Sequence, residues 1–124
     1  MLSRSDFGRD GEAWAAAELA SNGWQILERN WRCALGEIDL ICRRGEHLVF
    51  VEVRSVRTPY LSTAAQSVSP SKQHKVARAA QVWLQRCDFW PQVVRFDVYA
   101  VSWTAEKGFQ GEHIMDAFES PYAF

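Results

Sequence analysis

Asp39 and Glu52, thirteen positions apart, are the residues whose types and spacing point most directly to chemistry. They sit in Gly36-Glu37-Ile38-Asp39-Leu40-Ile41 and Val49-Phe50-Val51-Glu52-Val53-Arg54, two runs rich in β-branched and apolar residues on either side of Arg44-Gly45-Glu46. Such a pattern predicts a β-hairpin. If Gly45 and Glu46 are the central turn residues, with glycine first as a type II′ turn prefers, Asp39 stands opposite Glu52 and Glu37 opposite Arg54. With Arg44-Gly45 as the central pair the register moves one step, yet Asp39 and Glu52 still share a face because strand side chains alternate. An unbulged three-residue loop would separate them.

The shared face then holds Glu37, Asp39, Ile41, Leu48, Phe50, Glu52 and Arg54, and the opposite face Ile38, Leu40, Cys42, Val49, Val51 and Val53. Both faces carry apolar residues, so both are expected to be covered. Two carboxylates opposed across a strand pair repel, and partial burial raises the cost further, so a compensating cation is expected. A hard divalent ion, magnesium or manganese, suits oxygen ligands and is commonly held by one or two carboxylates, waters and a substrate phosphate. Arg54 adds a fixed positive charge beside Glu52.

These strands need a frame. Gly8 to Asn22 reads as an alanine-rich helix stopped by Asn22-Gly23, and Trp24 to Arg32 as a strand. Glu37 to Arg43 and His47 to Arg54 form the hairpin, and the polar stretch Ser55 to Val68, with Pro59, reads as a loop. Ser69-Pro70 offers a helix cap followed by proline at the first helical position, and Lys72 to Arg86 continues with Val76, Ala79, Ala80, Val82 and Trp83 at helical spacing. Val93 to Trp103 is a strand, Thr104 to Gly111 a turn region and His113 to Met115 a short final strand before an aromatic tail ending at Phe124. The order predicts one α/β domain over residues 1–124, a mixed central sheet flanked by helices in three layers.

A composition of 48% hydrophobic and 23% charged residues excludes a disordered chain, and no stretch is long and apolar enough to read as a membrane span; the expected location is cytoplasmic. Cys33, Cys42 and Cys87 have neither metal-ligand spacing nor an even count, and read as buried reduced thiols. The net charge of −1 provides no global attraction for phosphates. Charge is uneven, however: Lys72, Lys75, Arg78 and Arg86 gather in one segment, and Glu112, Asp116 and Glu119 near the C-terminus, which leaves room for a basic nucleic-acid-binding face.

The Asp39, Glu52, Arg54 pattern resembles the PD-(D/E)XK nuclease superfamily, and the chain as a whole looks like a member of the bacterial YraN-like family, whose fold is similar to that of archaeal Holliday junction resolvases. The resemblance rests on Gly11-Glu12, Asn30-Trp31-Arg32, Gly36 to Ile41, Val49 to Val53, Lys72-Gln73, Phe96-Asp97-Val98, His113-Ile114 and Ala117-Phe118. It implies a restriction-endonuclease-like fold and a metal-dependent endonuclease acting on nucleic acid, DNA in preference to RNA. It also implies that Glu12 reaches the site from the first helix, that Asp39 and Glu52 are metal ligands, and that the Val53 carbonyl assists. It further implies a lysine two residues after Glu52, where this chain has Arg54. Arginine stabilises charge, but its pKa above about 12 makes it a poor base. Lys72 would supply an ammonium if it lay close to the sheet face.

A plainer reading stands beside each assignment. Asp39 and Glu52 could be solvated, Glu12 could complement the helix dipole, and Lys72, Lys75 and Arg78 could form the wet side of an amphipathic helix. Asp97 reads as a structural carboxylate rather than a fourth acid, most of the six tryptophans as core, and His47, His74 and His113 receive no role. The alternative function is a nucleic-acid-binding module with weak or no catalysis, since Arg54 replaces the lysine. A third is an interaction protein using Tyr122 and Phe124. A homodimer is expected only if the substrate is a symmetric junction.

Overall fold

The computed structural model describes the backbone of residues 4–122 and the side chains from Asp10 to Tyr122. Helix α1 (Arg4–Ser21) leads into strands β1 (Gln25–Cys33), β2 (Gly36–Arg44) and β3 (His47–Ser55). A 3₁₀ segment (Thr58–Ser67) and helix α2 (Pro70–Gln85) follow, then β4 (Val93–Thr104) and β5 (Gly108–Phe118). The strands lie in chain order in one five-stranded sheet. All neighbours are antiparallel except β3 and β4, which run parallel and are joined across the sheet by the 3₁₀ segment and α2. A parallel pair needs a crossover of this kind.

Local chemistry explains the boundaries. α1 ends where Gly23 takes φ 91° and Trp24 N–H returns to the Leu19 carbonyl, while Ser21 Oγ and Asn22 Nδ2 each donate to the Glu18 carbonyl at 2.8 Å. The hairpin uses the Gly45-Glu46 turn, with positive φ at Gly45 (60°) and not at Glu46, and pairs Arg44 with His47 through Leu40 with Val51. α2 begins at Ser69, whose hydroxyl accepts the Lys72 amide at 3.1 Å, with Pro70 in the first turn.

Each sheet face has its own core. Ala15, Ala16 and Leu19 of α1 pack with Leu40, Cys42, Val49, Val51, Tyr99 and Val101 on one face. Val76, Ala77, Ala79 and Ala80 of α2, with Ala64 and Val68, cover Ile41, Leu48, Phe50, Phe96, Val98 and Ala100 on the other. The result is the expected layering of helix, mixed sheet and helix.

Four expectations are corrected. The stretch read as a loop is mostly 3₁₀ helix, opened by Pro59 and anchored by buried Ala64. The final strand runs from Gly108 to Phe118 and the turn before it shrinks to residues 105–107. Gly111 belongs to this strand because the Trp14 and Tyr99 rings lie over it, leaving no room for a side chain. Ile38 joins the α2-side core instead of alternating with Leu40. Its neighbour β1 kinks at Asn30 (φ 51°), and the start of β2 leans on α2, whose Lys75 carbonyl would be 3.0 Å from a Cβ on Gly36. Glu37 does not face Arg54, because the β2–β3 ladder ends at Leu40–Val51; Glu37 instead pairs with Arg32 at 3.1 Å.

Among the described residues no helix is long and apolar enough to cross a membrane. All three cysteines are free; Cys42 is buried, and Cys33 and Cys87 are half-buried. Trp24 is buried, Trp14, Trp31 and Trp83 pack against the two cores, and Trp90 and Trp103 are exposed. Tyr122 packs on the α2-side core, and Phe124 lies outside the described residues.

Candidate functional site

The sheet opens where the hairpin ladder ends, and Asp39 and Glu52 occupy the first step beyond it. There the Asp39 carboxylate replaces a backbone acceptor: its Oδ2 takes the Val53 amide at 2.8 Å. Glu52 stays fixed because β3 remains paired with β4 at this level, Glu52 opposite Val98. Its side chain is 3% exposed and Oε1 is buried without a hydrogen-bond partner. A buried polar atom left unpartnered is uncommon and calls for a reason, an affinity for a bound ion being one.

Electrostatics follow from that placement. Burial, and after it the Asp39 charge, push the Glu52 carboxyl up to about 8, with Lys72 acting in the opposite direction. Burial also raises Asp39, against the pull of the Val53 amide and of Lys72. Two carboxyls that resist joint ionisation are an unmet demand for positive charge.

Lys72 answers part of it. The Ser69 cap places it in the first turn of α2, and its Nζ lies 3.8 Å from Glu52 Oε2, with the side chain 31% exposed. The ammonium that the sequence could assign only conditionally is therefore at the sheet face. Arg54 lends its charge to Glu52, lowering that carboxyl, but its hydrogen bonds go to Ser67: Nη2 donates to the carbonyl at 2.6 Å and Nε to Oγ at 3.1 Å.

Glu12 flanks the pair from α1, half-buried, its carboxyl raised by burial and by Asp39 and lowered by a hydrogen bond from Asn30. Among the described residues no three His, Cys, Asp or Glu side chains are grouped tightly enough to hold an ion by themselves. Asp39 and Glu52 could hold one as a pair, with remaining ligands from backbone, water and substrate. Lys75 and Arg78 are exposed on α2. Lys75 also borders an open cavity of about 360 Å³ against the β1–β2 turn, shared with Arg32, Leu35 and Glu37.

Asp97 stands apart from this cluster. It is fully buried and saturated: Arg95 Nε and Nη2 donate at 2.8 Å each, His113 Nε2 lies at 2.6 Å, and Asp116 N–H donates at 2.9 Å. Burial alone would raise its carboxyl, but these partners hold it below the usual range. It is the structural carboxylate anticipated. His113, given no role from sequence, is one of its partners, a pairing visible only through the β4–β5 register. Burial and the Asp97 charge push the Cys42 thiol up to about 12, leaving it unreactive.

The site thus defines a mixed α/β domain whose central hairpin opens onto two interior carboxyls and a lysine. The pattern of the uncharacterised protein family UPF0102 matches residues 11–101, and the chain belongs to that family, as its YraN-like features anticipated. A UPF0102 protein of Hahella chejuensis is 41% identical over 118 residues, 95% of this chain and 94% of the relative. One from Syntrophus aciditrophicus is 44% identical over 115 residues, 93% of this chain and 90% of the relative. One from Anaeromyxobacter dehalogenans is 48% identical over 99 residues, 80% of this chain and 74% of the relative.

Proposed function

We propose that this domain is a metal-dependent phosphodiesterase that cuts nucleic acid, DNA in preference to RNA, on a restriction-endonuclease-like fold related to that of junction resolvases. The observation that carries the reading is the interior carboxyl pair Asp39 and Glu52, each raised by burial, with Glu52 Oε1 buried and outside the hydrogen bonds that hold the pair. The donor set fits magnesium or manganese: two hard carboxylate oxygens, with coordination left for water and phosphate. Asp39 and Glu52 hold the ion, and the Val53 amide and the β3–β4 pairing keep them in place. A bound ion supplies polarisation of the phosphoryl group and a more acidic water.

The remaining work belongs to side chains. Lys72 sets a positive charge where negative charge develops on the phosphate, and Glu12 accepts hydrogen bonds at the rim. Lys75 and Arg78 continue the basic row along α2 and contact the backbone of the nucleic acid. The protein works in the cytoplasm, and a two-fold dimer is required only for paired cuts in a symmetric junction.

A second reading, a binding module without catalysis, draws on the engagement of Arg54 with Ser67. Branched, single-stranded and duplex DNA, with matching RNA, incubated with and without magnesium or manganese separates the two. The nuclease reading expects metal-dependent cleavage abolished by Asp39→Asn and by Glu52→Gln. Salt-sensitive binding with no cleavage under any metal supports the module, and cleavage that survives both substitutions removes these residues from the chemistry.

A further inference from the structure

We infer that Arg54 is a positioning residue, which clamps the end of the 3₁₀ segment at Ser67 and thereby sets where α2 delivers Lys72 to Glu52. The Arg54 backbone is fixed within β3, opposite Ala100 of β4. Its guanidinium reaches sideways and grips Ser67 through both the carbonyl, at 2.6 Å, and the hydroxyl, at 3.1 Å.

From Ser67 the restraint passes along the chain through a run of hydrogen bonds. Ser67 Oγ donates to the Ala64 carbonyl at 2.6 Å, and Val68, buried in the core, returns its amide to Ala65. The Val68 carbonyl accepts Gln73 Nε2 at 2.9 Å, and Ser69 caps the helix through the Lys72 amide at 3.1 Å. Lys72 then ends 3.8 Å from Glu52 Oε2. A shift of Ser67 is carried toward Lys72 through these bonds.

The geometry also explains why arginine, and not lysine, suits this position. A planar fork satisfies two acceptors at once, whereas an ammonium is a point donor on a different stem. Lysine at residue 54 would have to reach both Ser67 oxygens from a single nitrogen. Arg54 is then not a weakened version of a catalytic lysine; it holds the lysine that Lys72 provides. The catalytic consequence rests on the nuclease reading above, whereas the positional claim does not.

The test measures both separately in Arg54→Lys, Arg54→Gln, Lys72→Ala and the double variant Arg54→Gln/Lys72→Ala, each checked for folding by circular dichroism. Acylation of lysines by an amine-reactive ester, read by mass spectrometry, reports the position of Lys72, with exposed Lys75 and Lys107 as references in the same molecule. In the parent, Lys72 reacts more slowly than the references. In both Arg54 variants it accelerates toward their rate. Unchanged Lys72 reactivity in folded Arg54→Lys overturns the proposal whatever the nuclease result.

In cleavage assays Arg54→Lys lowers kcat by roughly 100-fold with little change in KM, the scale expected when a catalytic group is displaced by about 1 Å. The double variant is no slower than Lys72→Ala alone, because the two act as one unit. Faster cleavage by Arg54→Lys, or additive losses in the double variant, overturns the proposal. Accelerated Lys72 labelling in the Arg54 variants of a parent that never cleaves sustains the positioning and defeats only the nuclease reading.

Discussion

Replacing Glu52 with glutamine isolates the cost of the buried carboxyl from any question of activity. Glu52 is 2% exposed and its carboxyl is pushed from 4.5 up to about 8, by burial first and by Asp39 next. Between those values the folded chain retains a proton that the unfolded chain has released. The sign follows directly: stability is complete below the unfolded value, falls as pH rises through the interval, and reaches its full penalty above the folded value. Each unit is worth about 1.4 kcal/mol, so the metal-free protein loses roughly 3–5 kcal/mol across the interval. Glutamine has the same shape and cannot ionise. Urea unfolding followed by tryptophan fluorescence at about pH 5 and about pH 8 should therefore show Glu52→Gln steadier than the parent at the higher pH and with a shallower slope, to which the raised Asp39 and Glu12 carboxyls still contribute. Magnesium or manganese should recover stability in the parent, by about 2.7 kcal/mol at one hundred times the dissociation constant, and do little for the variant. Parallel pH curves for the two chains, or equal stabilisation of both by metal, would refute the reasoning.

Other consequences are simpler. Asp97→Asn leaves Arg95 and His113 beside a neutral amide and should cost about 3–5 kcal/mol in urea unfolding. Because partners depress the Asp97 carboxyl, its contribution is present above the unfolded value of 3.8 and lost as pH falls through the folded one, so the variant should also lose acid sensitivity in that range. Gly111→Ala places a Cβ 2.5 Å from Trp14 Cζ3 and 2.9 Å from the Ala100 carbonyl, and a thermal melt should register a destabilisation of about 1–3 kcal/mol. If Lys75 and Arg78 contact phosphates, alanine at either should weaken DNA binding on all sequences alike and reduce the salt slope by about one, measured by fluorescence anisotropy.

The hairpin was legible in the sequence because a glycine at the first turn position sets the register, and strand alternation does the rest. The start of α2 was legible for a similar reason, since Ser69-Pro70 is a local signal. Features that depend on distant partners were not. The 3₁₀ segment lacks a helical stripe and is held by Arg54 and by the sheet beneath it. The length of β5 was hidden by Gly111, whose reason is the Trp14 and Tyr99 rings from other elements. Ile38 leaves its expected face next to the point where β1 takes a positive φ at Asn30, and the hydrogen-bond partner of Arg54, Ser67, lies thirteen residues on. Asp39, Glu52 and Lys72 meet because strand register and a helix cap, both local, happen to aim at one point. That one oxygen of Glu52, Oε1, would be buried without a hydrogen-bond partner required coordinates.

Crystals soaked in manganese and measured at its absorption edge test the central claim most directly, since anomalous density locates the ion without reference to turnover. The account predicts a single strong peak within coordination distance of Asp39 Oδ and the free Glu52 Oε1, lost in Glu52→Gln crystals. Density that leaves both carboxyls untouched at saturating manganese would contradict it.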